Sequence, residues 1–258
     1  MRIERTRDRE RLRAFLERDP GWAAYALGDL EPGNFERSDW FMSDAALCMV
    51  FHGLTPPVLF CMGAPAGVAA ILESVDVSPA FLLIRREHLA AATTCYETGA
   101  LLPMWRMVLP PDRFRHVNGP VVRLTMAHLD EVQRVYGSAF GGDAFAAYQL
   151  RDGIYYGIFE AGRLVSVAGT HVIGWTLGAA AVGNVATLPD YRNRGYAKAV
   201  TSAVCAELLH HGIKLIALNV NKVNAPAVRA YTRLGFDVAC DFLEGAATRS
   251  AVPAHRQP

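Results

Sequence analysis

The residues best suited to chemistry lie in one stretch, Val185-Ala186-Thr187-Leu-Pro-Asp-Tyr-Arg192-Asn193-Arg194-Gly195-Tyr196-Ala197. It reads as a strand ending at Pro189, an arginine-rich turn, and a helix beginning near Arg194. The first amides of a helix have no intrahelical acceptor and sit at the positive end of its dipole, so a diphosphate laid there accepts several N–H bonds at once. Gly195 has no Cβ and Ala197 only a methyl, which lets phosphate oxygens approach main-chain nitrogen, while Arg192 and Arg194 add charge at the rim. A basic turn without a ligand is the other reading of the same residues, although cations at a helix start oppose the dipole. No Gly-Lys-Ser/Thr follows, and the spaced glycines of a dinucleotide site are missing, which removes ATP-loop and NAD-type binding.

Other side chains suit acid, base or capping roles. Asn224 stands just before Pro226 at a predicted helix start and reads as an N-cap. Tyr231 shares a helical face with Val228 and Leu234, where a packed aromatic is the ordinary expectation. His171 has a suitable pKa range for accepting a proton, with a structural strand histidine as the plain alternative. Glu160, Asp143, Tyr155 and Tyr156 are lesser candidates for that base, and Gly183 and Asn184 cannot serve. His210 and His211, at a helix C-terminus where cations are favoured, read as structural. The five cysteines are widely spaced, with no C-x-x-C and no histidine at ligand spacing, so no metal site and a reducing cytoplasm are expected.

Elements must position these groups. A break at 109–120, with three prolines and a glycine, separates two α/β halves. Upstream, helices are predicted at 7–17 and 21–30, strands at 40–42, 47–51 and 58–62, a helix at 67–73, a strand at 81–84, a helix at 86–98 and a strand at 104–109. Downstream come strand 121–124, helix 126–140, a turn at Gly141-Gly142 into a short helix at 144–149, and a hairpin 154–160/163–171 turned at Ala161-Gly162. Strand 179–188, helix 194–211, strand 213–220, helix 225–234 and strand 236–243 follow. The sheet is mostly antiparallel with one parallel crossover through helix 194–211. Each half starts with helices, passes through strands and ends helix then strand, so two divergent copies of one fold are expected. Uncharged stretches at 45–72 and 164–189 read as strands and not membrane spans, because glycines and prolines interrupt both. With 26 Lys and Arg against 25 Asp and Glu, a net charge of +1 leaves no footprint for nucleic acid. The start mixes acids with arginines and has no apolar run of a targeting segment.

Arg192-x-x-Gly195-x-Ala197 resembles the R/Q-x-x-G-x-G/A motif of the GNAT superfamily of acyl-CoA-dependent N-acyltransferases. Asn224-Ala-Pro-Ala-Val-Arg-Ala-Tyr231-Thr-Arg-Leu-Gly-Phe236 is similar to that family's N-x-x-A-x-x-x-Y-x-x-x-G-F signature. Tyr25-Ala-Leu-Gly-Asp-Leu30 followed by Trp40-Phe41 resembles the leading segment of two-lobed members related to glycine N-acyltransferases. The resemblance implies an α/β (α+β, GNAT-like) fold with a mixed, mostly antiparallel sheet flanked by helices, as two GNAT-like lobes. Residues 1–118 would be a degenerate N-terminal lobe, 119–248 the catalytic domain and 249–258 a tail. It also implies acetyl-CoA, or a related acyl-CoA, as co-substrate without a metal. Arg192, Asn193, Arg194, Gly195, Tyr196, Ala197 and Asn224 would hold it, and main-chain groups of Val185, Ala186 and Thr187 would pair with its pantetheine arm. A main-chain N–H there would stabilise the tetrahedral oxyanion, worth about 2.7–4 kcal/mol per donor. Tyr231 would be the general acid toward the departing thiolate, with His171 the candidate base. The implied reaction is direct acyl transfer to a small-molecule amine or amino acid in a ternary complex, in the cytoplasm, without nucleic acid or membrane, a homodimer being open. The rival is a non-catalytic acyl-CoA-binding sensor.

Overall fold

The structure is a computed structural model that describes residues 2–140 and 145–250. In chain order its elements are β1 (Glu4–Arg5), α1 (Arg9–Leu16), α2 (Pro20–Gly28), β2 (Ser38–Met42), β3 (Ala46–Phe51), β4 (Val58–Gly63), α3 (Pro65–Ser74), β5 (Ala80–Ile84), α4 (Leu89–Cys95), β6 (Tyr96–Thr98) and β7 (Leu102–Leu109). Then follow β8 (Val121–Arg123), α5 (Leu129–Phe140), α6 (Ala147–Asp152), β9 (Tyr155–Glu160), β10 (Arg163–Gly174), β11 (Ala179–Thr187), α7 (Tyr196–His210), β12 (Leu215–Asn221), α8 (Ala225–Leu234) and β13 (Asp237–Arg249). Gly141, Gly142, Asp143 and Ala144, which include the expected turn and one base candidate, lie outside the described residues.

The same succession of elements runs twice, from β1 to β6 and from β8 to β13, and the pairing repeats with it. β1–β2, β2–β3 and β3–β4 are antiparallel and β4–β5 parallel. Likewise β8–β9, β9–β10 and β10–β11 are antiparallel and β11–β12 parallel. The helix between each parallel pair, α3 or α7, is the crossover that such pairing requires. The stretches at 45–72 and 164–189 are strands with connecting turns and, in the first, α3. Among the described residues no helix is long and apolar enough to cross a membrane.

Two compact units are built from this chain, and neither is continuous in sequence. One comprises Met1–Arg11, Glu36–Met104 and the segment from Asp241 onward; the other comprises Leu12–Phe35 and Trp105–Cys240. The division at 118/119 differs from this in two places, because residues 12–35 join the second unit and residues from 241 join the first. In the first unit β13 pairs antiparallel with β5, Leu243 to Ala247 facing Ile84 to Ala80. That pairing carries the last strand to Arg249, beyond the expected end at 243. The helix expected at 86–98 stops at Cys95: Tyr96, Glu97 and Thr98 pair with Arg249, Thr248 and Ala247, since a β-favouring Tyr and Thr beside an open edge gain a ladder.

The second unit holds strands in the order β7-β12-β11-β10-β9-β8. Its hairpin turns at Ala161 and Gly162 with φ of 47° and 76°, the positive pair that matches strand twist in a two-residue turn. Helix α7 packs on β9, β10 and β11, α5 on β10 and β11, and α2 along β10, β11 and β12. Two glycines bring α2 close: a Cβ on Gly28 would lie 2.7 Å from the Val172 side chain, and one on Gly174 3.0 Å from the Gly28 Cα.

Candidate active site

The site is built where β11 and β12 part. Their parallel register runs from Ala179 opposite Leu215 to Val182 opposite Leu218 and ends there, although β11 continues to Thr187 and β12 to Asn221. The cause is a β-bulge. Gly183 pairs with Gly169 and Ala186 with Val167, so Asn184 and Val185 oppose Ala168 alone, and Asn184 takes the left-handed conformation at φ 51°. An extra residue bends its strand and stops pairing on one side.

Alternation then decides which main-chain groups face the opening. The Ala186 carbonyl accepts from Ser166 Oγ (3.1 Å) and the Leu188 N–H donates to Val165 O (2.9 Å), so both face β10. Ala186 therefore leaves the expected pantetheine-pairing set, its side chain being buried as well. Val185 and Thr187, one residue out of phase, direct theirs away from β10. The Thr187 carbonyl accepts from Arg192 Nε at 3.3 Å, which folds the turn back on the strand end.

Beyond this strand comes the arginine-bearing turn that leads into α7. Gly195 is the N-cap of α7 at φ 81°, with no side-chain cap bond and no acidic residue in the first turn. A Cβ placed on Gly195 would meet nothing within 4 Å. The amides of Tyr196, Ala197 and Lys198 therefore start a fifteen-residue helix without a side-chain cap, beneath open space. Asn193 has φ 63°, Arg194 donates to Asp190 O and lies over the Tyr191 ring, and Arg192, Asn193 and Arg194 are all exposed. Tyr196 meets Glu160 through its phenol, whose pKa that carboxylate raises. This removes Glu160 from the bulge region and sets it beside the helix start.

Asn224 caps α8 as expected, Oδ1 accepting from Ala227 N at 3.2 Å. Tyr231 is 7% exposed, its ring edge-on to Phe236 at 6.1 Å. Burial, the Tyr25 phenol and the Cys205 thiol together push its pKa well up.

His171 is the extra residue of a second bulge: Thr170 pairs with Val182 and Val172 with Ala181, leaving His171 unopposed. Its imidazole lies over Gly183, where a Cβ would come within 2.1 Å of Nε2 and Cδ2. Gly183 thus matters for what it lacks. Gly183→Ala is expected to cost about 1–3 kcal/mol as an overpacked contact; an unchanged urea midpoint would show that the imidazole sits elsewhere. Tyr155 and Tyr156 both have pKa values raised first by burial, the wrong direction for a base.

One neighbour escaped the sequence reading. Tyr25, on α2, has its ring 5.8 Å from that of His171 and its phenol close enough to Tyr231 to raise the latter's pKa. Arg106 from β7 stacks on Tyr25 at 4.2 Å and donates to Trp22 O. The only signals available were that Trp22, Tyr25 and Ala26 share a helical face and that the segment resembles the leader of two-lobed relatives.

Comparison with known proteins settles the family of this region. The family model described as Acetyltransferase (GNAT) family matches residues 126–236. That span contains both bulges, the turn, Asn224 and Tyr231. The chain carries a GNAT acetyltransferase domain. The [Ribosomal protein bS18]-alanine N-acetyltransferase of Escherichia coli (strain K12) is 29% identical over 107 residues, 42% of this chain and 70% of the relative. Among solved structures, a GNAT-family protein from Novosphingobium aromaticivorans superposes with TM-score 0.65 at 20% identity, over 88% of this chain and 96% of its own. A tandem GNAT protein from the clavulanic acid biosynthesis pathway superposes with TM-score 0.56 at 13% identity, over 97% and 99%. The GNAT fold likeness thus extends through most of the chain, whereas the sequence match is confined to the acetyltransferase domain.

Proposed function

We propose that the second unit binds an acyl-CoA, acetyl-CoA first, at the β11–α7 turn and transfers its acyl group directly to an amine. The observation that carries this is the uncapped start of α7 at a left-handed Gly195, set at the end of a strand that has parted from its parallel neighbour. The amides of 195–198 suit a diphosphate, with Arg192, Asn193 and Arg194 at the rim and Tyr196 flanking. Val185 and Thr187 offer main-chain groups to an extended amide-bearing arm, as an added strand would, and Asn224 would donate its amide nitrogen to the same arm. Fixed N–H groups at the bulge stabilise charge on a thioester oxygen, and Tyr231 donates to the departing sulfur.

The first unit supports a division of labour. Its matching strand ends at Gly63 and its helix starts at Pro65, so Ala64 alone replaces the eight-residue turn. His88 Nε2 donates to Gly63 O at 2.8 Å, and a Cβ on Gly67 would lie 2.6 Å from the Ala46 Cβ, so strand end and helix start are closed by packing. We read this unit as a lobe of the same ancestry that has no cofactor turn.

The acceptor in this reading is a small-molecule amine or amino acid in the cytoplasm; the named action of the bacterial relative on a ribosomal-protein alanine extends the class to a peptide's terminal amine. CoA at about 100 times its Kd is expected to add about 2.7 kcal/mol of stability, read as a rise in Tm. No rise at saturating CoA would defeat the proposal, and a rise without thiol release across a panel of amines would make the protein an acyl-CoA sensor.

A further inference from the structure

His171 sits in a hydrogen-bond array whose direction is set by main-chain groups. Gln149 on α6 is 3% exposed, and its Oε1 accepts from Ala146 N at 3.1 Å and from Asn184 Nδ2 at 3.4 Å. A main-chain N–H is only ever a donor, so the atom facing Ala146 is the amide oxygen and the other end of Gln149 is the NH2 group. That group approaches His171 Nδ1 at 3.3 Å and His171 O at 3.4 Å. The Asn184 end is fixed too. Tyr155 OH donates to Thr170 O at 3.0 Å, a bond a carbonyl cannot reverse, so the phenol oxygen accepts from Asn184 Nδ2 at 3.0 Å. Tyr136 OH donates to the Asn184 carbonyl at 2.7 Å and pins the bulge beneath it. Every donor and acceptor of Gln149 is thereby used in one orientation.

We infer that His171 is held as the neutral Nε2–H tautomer, a fixed hydrogen-bond donor over Gly183, and that it is not the base that takes the amine's proton; Gln149 and Asn184 are its positioning residues. With Nδ1 accepting from Gln149, the ring proton resides on Nε2, the atom lying over the point where β11 leaves β12. An Nε2 that already carries a proton cannot receive another. Among the described residues, the groups shown to face the ring act the same way: the buried Arg106 guanidinium from β7, the Tyr25 ring from α2, the Gln149 amide from α6 and Gly183 from β11, none of them a carboxylate. Burial and Arg106 together push the imidazole pKa down to about 4. The Nε2–H suits a carbonyl or carboxylate oxygen of the substrate. That use rests on the acyl-transfer reading, whereas the tautomer does not.

The test is a long-range proton–nitrogen correlation spectrum of the full chain with labelled histidine. One imidazole should be the Nε2–H form, remain neutral from about pH 5 to 8, and vanish in His171→Gln. An Nδ1–H form, or an imidazolium titrating in that range, would overturn the inference. Gln149→Glu replaces the donor with a carboxylate, so the ring should switch to Nδ1–H and its titration should rise; an unchanged spectrum would remove Gln149 from the role. The wild-type spectrum decides the tautomer even if that variant does not fold. Turnover plays no part, so a chain that never transfers an acyl group would defeat the functional reading and leave this result intact.

Discussion

Gly195→Val should lower CoA affinity at least about 100-fold, equivalent to roughly 2.7 kcal/mol, while leaving a folded protein. Two effects act together. At φ 81° a β-branched residue is strained, by about 1–3 kcal/mol, so the turn relaxes away from its left-handed geometry. Its side chain also enters the open space above the helix start, where a phosphate oxygen would otherwise meet main-chain nitrogen. Hydrogen bonds to a charged group contribute about 1.5–3 kcal/mol each, so loss of two accounts for the expected change. The strain has a built-in control. Gly212, just beyond α7 at its other end, has the same φ of 81° and likewise open surroundings. Gly212→Val should cost similar stability and leave CoA binding intact, measured by calorimetry beside Gly195→Val. Equal affinity in all three proteins would move the cofactor site away from this turn.

The proposed cofactor turn was legible because an anion site would constrain consecutive residues: a glycine, a small residue two places on and flanking arginines appear in one stretch of chain. Asn224 and Tyr231 were legible for the same reason, at fixed spacing on one helix. What failed was phase and distance. Main-chain direction along Val185, Ala186 and Thr187 depends on where a bulge falls, and the bulge rests on Asn184 adopting a positive φ, which no alternation of apolar residues reports. Ala186 was therefore grouped with its neighbours although it faces β10. Tyr25 and Gln149 reach His171 from α2 and α6, 146 and 22 residues away in sequence, so only the fold places them there. The unit boundaries failed similarly: a proline-rich break at 109–120 marks a connection, but residues 12–35 and the part of β13 from Asp241 each join the unit on the other side of it.

Tyr231→Phe should reduce acyl transfer by about 100-fold or more, the lower end of what a general acid contributes, with the KM for acetyl-CoA changed little. Phe retains the ring that packs edge-on against Phe236, so the substitution removes a hydroxyl and leaves the core filled. The hydroxyl matters when the carbon–sulfur bond breaks, because a departing thiolate is stabilised by a proton or a hydrogen-bond donor. Burial raises the phenol pKa above its ordinary 10.0, with Tyr25 and Cys205 adding to the shift. The sign follows directly: an acid works while protonated, and a raised pKa delays its loss on the alkaline side. The wild-type rate of thiol release should therefore show no decline assignable to this group below pH 10.0, provided the protein stays folded. Tyr25→Phe separates the two phenols. If that variant loses turnover and Tyr231→Phe does not, the proton donor stands on α2 and the α8 phenol is only a packed ring.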